Sequence, residues 1–180
     1  MRGTHTLRSP LSRMAALGAA IAVLASIGTA SPASAHETDD YVEAREHIKD
    51  RLTSQLGTPY RYGSESPRRG FDCSGLVYWA FKKHGGDDLE RSSADMWAQR
   101  RDKGFKRVRN LDNLEIGDLL FYNTSGSGVS HVSTYIGRNK MIHTGSSRGR
   151  VSKDDIDYPY YKQHFVGAMR VAALRKPDNR

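Results

Sequence analysis

The chain has 180 residues, with 28 Lys or Arg against 20 Asp or Glu, so its net charge is +8 at neutral pH. It contains one cysteine, Cys73, which excludes a fold stapled by intramolecular disulfides. No internal repeat, long linker or second apolar block divides the sequence after its N-terminal segment. These features predict one domain with a core of its own.

The first 35 residues have the pattern of a secretory signal peptide. A basic head precedes an apolar run from Met14 to Ala30, and Ala33-Ser34-Ala35 forms a small-residue cleavage site. The apolar run is shorter than the about 20 residues that a membrane-spanning helix needs, and no cysteine follows it for lipid attachment. We therefore expect a secreted protein without a stable membrane anchor, whose single domain comprises residues 36–180.

Removal of this leader leaves 25 basic residues against 20 acidic ones, a net charge of +5. Basic residues are concentrated at 68–69, 82–83, 100–103 and 106–109. One interpretation is a solvated surface that keeps the protein soluble, and the other is attraction to an anionic extracellular polymer. Nucleic acid is not expected as a partner, given the export signal and the lack of a nucleic-acid-binding motif.

Apolar residues at helical spacing predict a scaffold helix from Asp39 or Asp40 to Leu56, closed by Gly57. A second helix is predicted to begin at Cys73, because Asp72 is a favourable N-cap and an apolar stripe follows it up to a stop at Gly85. A cysteine in the first helical turn lies at the positive end of the helix dipole, which favours the thiolate. The alternative is a buried cysteine that acts as a small apolar side chain.

Further along the chain, Ser93 is predicted to cap a helix that begins at Ala94. Residues 118–122 predict a short buried strand, and 164–171 predict a closing strand. Residues 131–137 and 141–144 predict two strands joined by a tight turn, which places His131 and His143 on neighbouring strands. A thiol at a helix start facing these histidines supplies a nucleophile, a base and an orienting group for acyl transfer.

Five sequence blocks occur together in a fixed order. They are Gly57-Thr58-Pro59-Tyr60-Arg61-Tyr62-Gly63, Phe71-Asp72-Cys73-Ser74-Gly75-Leu76-Val77, Ile116-Gly117-Asp118-Leu119-Leu120-Phe121, His131-Val132 and Met141-Ile142-His143. Over residues 41–172 they resemble the NlpC/P60 family of cell-wall cysteine peptidases. The sequence departs from the family pattern at Ser64, at Glu90 in place of a proline, and at Ser92, where an acidic residue can occur.

The resemblance implies an α+β papain-like fold, in which the cysteine helix packs on a central antiparallel β-sheet that holds both histidines. It implies cleavage of peptidoglycan stem peptides, typically between D-γ-glutamate and the diamino acid, by a protein that is extracellular or wall-associated. It also implies that the Tyr60 hydroxyl enters the site, that Asp72 and Ser74 touch the stem peptide, and that the segment of Ser93 borders the cleft.

The expected mechanism begins with Cys73 attacking a peptide carbonyl as a thiolate. His131 takes the thiol proton, and His143 orients His131 without adding a negative charge. The backbone N–H of Cys73 and the hydroxyl of Tyr60 are the expected oxyanion donors. No metal or cofactor is expected, and a monomer is the default expectation.

Other functions are compatible with the same residues. The triad also suits an acyltransferase or an amidase, and loss of catalysis would leave a wall-binding module. A metal site built from Cys73, His131 and His143 is less favoured, because no pair of these residues has the short spacing of typical metal ligands.

Overall fold

The computed structural model describes residues 32–171 and 174, apart from 83, 85, 87 and 103. The helices are α1 (Pro32–Ser54), α2 (Cys73–Phe81), α3 (Ser93–Ala98) and α4 (Pro159–His164), with 3₁₀ turns at Gln99–Arg101 and Leu111–Asn113. The strands are β1 (Glu65–Ser66), β2 (Gly70–Phe71), β3 (Phe105–Val108), β4 (Leu119–Tyr122), β5 (His131–Gly137), β6 (Lys140–Gly145), β7 (Arg150–Asp155) and β8 (Phe165–Val171).

Six strands form an antiparallel sheet in the order β3-β8-β4-β5-β6-β7, and β1 pairs with β2 in a separate small hairpin. The tight turn between β5 and β6 consists of Arg138 and Asn139, whose φ angles are both positive at 52° and 61°. This is the backbone of a type I′ turn, the connection that matches the twist of a two-residue hairpin. The predicted hairpin is therefore confirmed.

Both faces of the sheet are covered by packed side chains. Successive residues of a strand point to opposite faces, so one strand contributes to both cores. Leu119 and Phe121 of β4 join the core formed with helices α1, α2 and α3. Leu120 and Tyr122 join a smaller core on the other face, where Tyr161 of α4 packs. This arrangement confirms the predicted α+β class, with the cysteine helix on a central antiparallel sheet.

Helix α2 begins as predicted because Asp72 caps it. The Asp72 side chain accepts a hydrogen bond from the backbone N–H of Gly75 at 2.6 Å. A side chain at position 75 would meet the backbone oxygen of Ser64 at 2.2 Å, so the close approach of that segment requires glycine. The helix ends at Phe81, before the predicted stop at Gly85, which lies outside the described residues.

Several elements differ from the sequence expectations. Helix α3 starts at Ser93, so its cap is Ser92, whose hydroxyl accepts from the N–H of Asp95 at 3.1 Å; the prediction of Ser93 as the cap was wrong by one residue. Strand β7 and helix α4 were not predicted, because their sequences are polar or aromatic without a clear apolar period. Helix α1 ends at Ser54, two residues before the predicted end.

Residues 1–31 of the predicted signal peptide lie outside the described residues, and residues 32–35 belong to α1. The signal peptide, secretion and the domain boundary at residue 36 therefore stay predictions. Among the described residues, no helix has the length and apolar character needed to cross a membrane.

Candidate active site

A cleft of about 240 Å³ opens where the start of α2 meets the ends of β5 and β6. Its walls bring together Cys73, His131 and His143, which the sequence analysis had grouped as nucleophile, base and orienting residue. Tyr60, predicted to reach the site, also lines the cleft. The remaining lining residues are Thr124, Ser130, Thr144, Gly145, Ser146, Ser147, Tyr160 and Tyr161.

Cys73 is the first residue of α2 and is partly buried. Burial raises the pKa of its thiol, although backbone N–H groups of Val132, Ser74 and Cys73 itself act in the opposite direction. The N–H groups at the helix start favour the thiolate, as expected, but burial outweighs them and the pKa of the thiol is raised. Ionisation of Cys73 needs a base that takes the proton.

His131 begins β5, and His143 lies on the neighbouring strand β6. Nε2 of His131 and Nδ1 of His143 are 3.1 Å apart, and the two rings are nearly perpendicular at 87°. Both side chains are buried, with residue exposures of 8% and 3%. Among the described residues, Nδ1 of His131 has no hydrogen-bond partner, so one ring nitrogen of the predicted base is available.

Burial lowers the pKa of His131 to about 3, and the neighbouring His143 adds to this effect. Burial also lowers the pKa of His143, while Asp154 opposes the change. At neutral pH both rings are therefore uncharged, and the resting site holds a neutral thiol and a neutral imidazole. A neutral His131 is in the correct protonation state to act as a general base.

The backbone of Tyr60 is fixed to the rim of the cleft, because its N–H donates to the carbonyl of Gly149 at 2.8 Å. Burial raises the pKa of the Tyr60 hydroxyl, and the nearby Cys73 contributes to the rise. The hydroxyl therefore remains protonated at neutral pH and can donate a hydrogen bond inside the cleft.

The other predicted substrate-binding residues lie outside the cleft lining. Both carboxylate oxygens of Asp72 accept from Arg91 at 2.9 Å, and the same guanidinium donates to the hydroxyl of Ser74 at 2.9 Å. Arg91 also pairs with Glu65 at 2.8 Å. Ser93 is buried at the start of α3. In this structure Asp72 and Ser74 hold the α2 start in place, and their contact with substrate stays a prediction.

One residue at the site was missed by the sequence analysis. Asp154 of β7 lies behind His143, with 2.9 Å between its Oδ2 and Nε2 of the imidazole. Its Oδ1 pairs with Arg148 at 2.8 Å, and the Tyr161 hydroxyl donates to its Oδ2 at 3.3 Å. His143 was expected to orient His131 without adding a negative charge of its own, and the structure places a carboxylate that was not expected directly behind it. Its only sequence signal is an acidic pair in a polar segment, which resembles a solvent-exposed loop.

The site residues do not form a metal centre in this geometry. Among the residues that the structure describes, no three or more His, Cys, Asp or Glu side chains are grouped as metal ligands would be.

Sequence comparisons agree with the geometry. The profile of the NlpC/P60 family matches residues 57–170. The murein DD-endopeptidase MepH of Escherichia coli is 37% identical over 123 residues, which are 68% of this chain and 44% of MepH. The bifunctional muramidase/DL-endopeptidase CwlT of Bacillus subtilis is 32% identical over 117 residues, which are 64% of this chain and 33% of CwlT. The chain thus spans less than half the length of these two relatives.

Solved structures give the same result. An NlpC/P60 family protein of Bacillus cereus superimposes with a TM-score of 0.62 at 31% identity, over 71% of this chain and 40% of that protein. The peptidoglycan hydrolase RipB of Mycobacterium tuberculosis superimposes with a TM-score of 0.58 at 27% identity, over 81% and 74% of the two chains. With the family profile, the cleft and the fold all in agreement, the chain belongs to the NlpC/P60 family.

Proposed function

We propose that the protein is a secreted cysteine endopeptidase that hydrolyses peptidoglycan stem peptides with Cys73, His131 and His143. The observation on which this proposal rests is the meeting of these three side chains in one open cleft, with the two imidazoles in hydrogen-bond contact at 3.1 Å. The relatives named as murein and peptidoglycan hydrolases support the substrate class.

In the proposed reaction, the Cys73 sulfur attacks the peptide carbonyl carbon while His131 removes the thiol proton. The peptide C–N bond then breaks, and His131 returns the proton to the leaving amine. Water next attacks the thioester with His131 as the base, which releases the carboxylate product and restores the thiol. Burial raises the pKa of the Cys73 thiol and lowers that of His131, so the proton rests on the sulfur until His131 removes it.

The tetrahedral oxyanion needs hydrogen-bond donors in the cleft. The backbone N–H of Cys73 lies in the first turn of α2, where no intrahelical acceptor is available to it. The protonated hydroxyl of Tyr60 is the second proposed donor. Loss of one such donor in other enzymes lowers kcat by about 10²- to 10³-fold.

We propose the bond between D-γ-glutamate and the diamino acid as the cleavage site. The DL-endopeptidase named in CwlT supports this choice. MepH, a murein DD-endopeptidase, supports a second candidate, the D,D-bond of a peptide cross-link. An acyltransferase or an amidase would use the same thiol chemistry on a different acceptor or bond.

The test is digestion of purified peptidoglycan and of isolated stem peptides, with products identified by mass spectrometry. The Cys73→Ala variant is the matched control. New N-termini on the diamino acid that are absent from the control would support the D-γ-glutamyl site, whereas opened cross-links would support the D,D-bond. No cleavage, with wall binding retained by both proteins, would overturn the enzyme proposal in favour of a binding module.

We also propose that the protein acts at the cell wall and that exposed basic residues attract anionic wall polymers. Lys106, Arg107 and Arg109 are exposed on and beside β3, an edge strand of the sheet. None of the three has an ion-pair partner among the described residues. A triple substitution of these residues by Gln should weaken sedimentation with intact walls and leave sedimentation with walls stripped of anionic polymer unchanged. Equal sedimentation of both proteins with intact walls would count against this partner.

A further inference from the structure

A continuous series of hydrogen bonds leads from Asp154 to the base of the proposed triad. Oδ2 of Asp154 lies 2.9 Å from Nε2 of His143, and Nδ1 of His143 lies 3.1 Å from Nε2 of His131. The side chains of His143 and Asp154 are only 3% and 14% exposed, so little water competes for these contacts. His143 uses both of its ring nitrogens in this series, whereas His131 uses only Nε2.

The direction of these hydrogen bonds follows from their chemistry. An ionised carboxylate can only accept, so Nε2 of His143 must carry the hydrogen that it shares with Asp154. A neutral imidazole has one donor and one acceptor nitrogen, which leaves Nδ1 of His143 as an acceptor. Nε2 of His131 must then donate to it. The lone pair of His131 is consequently on Nδ1, the nitrogen without a partner among the described residues.

We propose that Asp154 is a positioning residue that sets the tautomers of His143 and His131, so that Nδ1 of His131 receives the proton of Cys73. This inference rests on the proposed function only in assigning Cys73 as the nucleophile. Without Asp154, the two histidines could exchange donor and acceptor roles. The reversed arrangement would place a hydrogen on Nδ1 of His131 and remove the base.

Arg148 orients the Asp154 carboxylate. Its guanidinium binds Oδ1 at 2.8 Å, which leaves Oδ2 for His143 and for the hydroxyl of Tyr161. Arg148 lies directly after Ser147, which lines the cleft, and directly before Gly149, whose carbonyl accepts from Tyr60. One short segment therefore forms part of the cleft wall and also holds the carboxylate behind the base.

The decisive variant is Asp154→Asn, because the contact with Arg148 determines how the new amide is oriented. Arg148 can only donate, so it selects the amide oxygen and turns the NH₂ group toward His143. That group donates to Nε2, which reverses both tautomers and puts a hydrogen on Nδ1 of His131. Asp155→Asn is the matched control, because Asp155 neighbours Asp154 on β7 but pairs with the partly exposed Lys140 at 2.5 Å.

The measurement is the rate at which iodoacetamide alkylates Cys73, the only cysteine in the chain, across a pH range. We expect Asp154→Asn to lower the rate near neutral pH by about tenfold or more and to displace the profile to higher pH. Asp155→Asn should match the wild type. In a His131→Ala background, Asp154→Asn should have no further effect, since both changes remove the same base. A loss below tenfold, or an equal loss in Asp155→Asn, would overturn the proposal.

A second readout uses the wild-type protein and does not depend on a variant that folds. Imidazole ¹⁵N shifts should show hydrogen on Nε2 of both His131 and His143, and hydrogen on Nδ1 of His131 would overturn the proposal. Neither readout involves a cell-wall substrate. Failure to cleave peptidoglycan would therefore contradict the proposed function without bearing on the role of Asp154.

Discussion

Asp118 and Asp154 each belong to a network of polar side chains, but only the network of Asp154 reaches the cleft. Asp118 is 0% exposed, and Arg170 binds both of its oxygens at 2.7 and 2.8 Å. The same guanidinium binds Glu115 at 2.7 Å, and Glu115 in turn pairs with Arg45. Every charge in this group has an opposite charge beside it, so the network is closed.

The Asp154 network is open at one end. Arg148 neutralises one oxygen of Asp154, while the other leads through two imidazoles to the cleft, where Nδ1 of His131 has no partner among the described residues. A closed network can only hold elements together, whereas an open one presents a reactive atom. Substitutions in the Asp118 network should therefore change mainly the stability of the fold, and substitutions in the Asp154 network mainly the rate of the reaction.

The largest expected effect is on rate, at the open end. His131→Ala should lower kcat/KM for the proposed stem-peptide cleavage by about 10²- to 10⁴-fold, because it removes the proposed general base. The midpoint of thermal unfolding should change little beyond the loss of one hydrogen bond to His143, worth about 1 kcal/mol. Initial rates and a thermal melt on the same preparation check both statements. A rate loss below tenfold would show that another group takes the thiol proton.

In the closed network the main effect should be on stability. Arg170→Met leaves the buried Asp118 carboxylate without the cation bound to it, with the N–H of Glu115 as its remaining donor, and should lower the free energy of unfolding by about 3–5 kcal/mol. Burial already raises the pKa of Asp118 despite the opposing effect of Arg170, which shows how strongly this site disfavours an unpaired charge. Urea unfolding gives the stability, and activity per folded molecule should stay at the wild-type level.

Lys140→Met is the control for that experiment. Lys140 and Asp155 form an ion pair at 2.5 Å, but their side chains are 41% and 47% exposed. Breaking an exposed pair of this kind should change stability by less than about 1 kcal/mol. Equal losses in the two variants would mean that burial does not distinguish the pairs.

The positions of Cys73 at a helix start and of the two histidines on a hairpin could be predicted from sequence because these signals are local. Asp72 caps the helix three residues before Gly75, and the two-residue turn pairs β5 with β6. The register that puts His131 and His143 on one face also needs the irregularity between Tyr135 and Gly137, which the sequence did not predict. Helix capping and tight turns depend on neighbouring residues only. Strands β4 and β8 could also be predicted, because an apolar run is typical of a strand that is buried on both faces of the sheet.

Asp154 could not be predicted because its role depends on a distant strand pairing. Strand β7 is an edge strand with only Val151 fully buried, so its sequence lacks the alternation that marks a half-buried strand. Asp154 reaches its position through the register in which it faces Met141 of β6. Nothing within the polar segment itself distinguishes Asp154 from Asp155, which faces solvent and Lys140.

A third prediction concerns acid. The pKa of His131 is lowered to about 3 in the fold, while in the unfolded chain it returns to about 6.5. Between these values the unfolded state binds the additional proton, so stability present above pH about 6.5 is lost as the pH falls toward 3. From pH 7 to 4.5, His131 alone should remove about 2–3 kcal/mol.

The control for this acid effect is His131→Gln, which cannot titrate. Urea unfolding at pH 7 and 4.5 should show a decline that is smaller in the variant by about 2–3 kcal/mol. His143 and the carboxyl groups titrate in both proteins, so comparing the two declines isolates His131. Equal declines would mean that His131 is protonated in the folded state at pH 4.5.

The smallest expected effect is at Tyr161, which borders the open network without being part of the series. Its hydroxyl donates to Asp154 at 3.3 Å and lies 3.2 Å from Nε2 of His143. Tyr161→Phe removes this one donor, but Asp154 keeps Arg148 and His143. We expect kcat to fall by about threefold to tenfold, equivalent to about 1 kcal/mol, with KM unchanged.

Tyr158→Phe is the matched control for Tyr161→Phe, because Tyr158 is 54% exposed and lies outside the cleft lining. Separate values of kcat and KM decide the interpretation. A rise in KM would indicate that the Tyr161 hydroxyl binds substrate in the cleft. A fall in kcat as large as that of His131→Ala would mean that Tyr161 takes part in the proton transfer itself. Tyr161 would then belong with Asp154, His143 and His131, and would no longer be a donor that only supports Asp154.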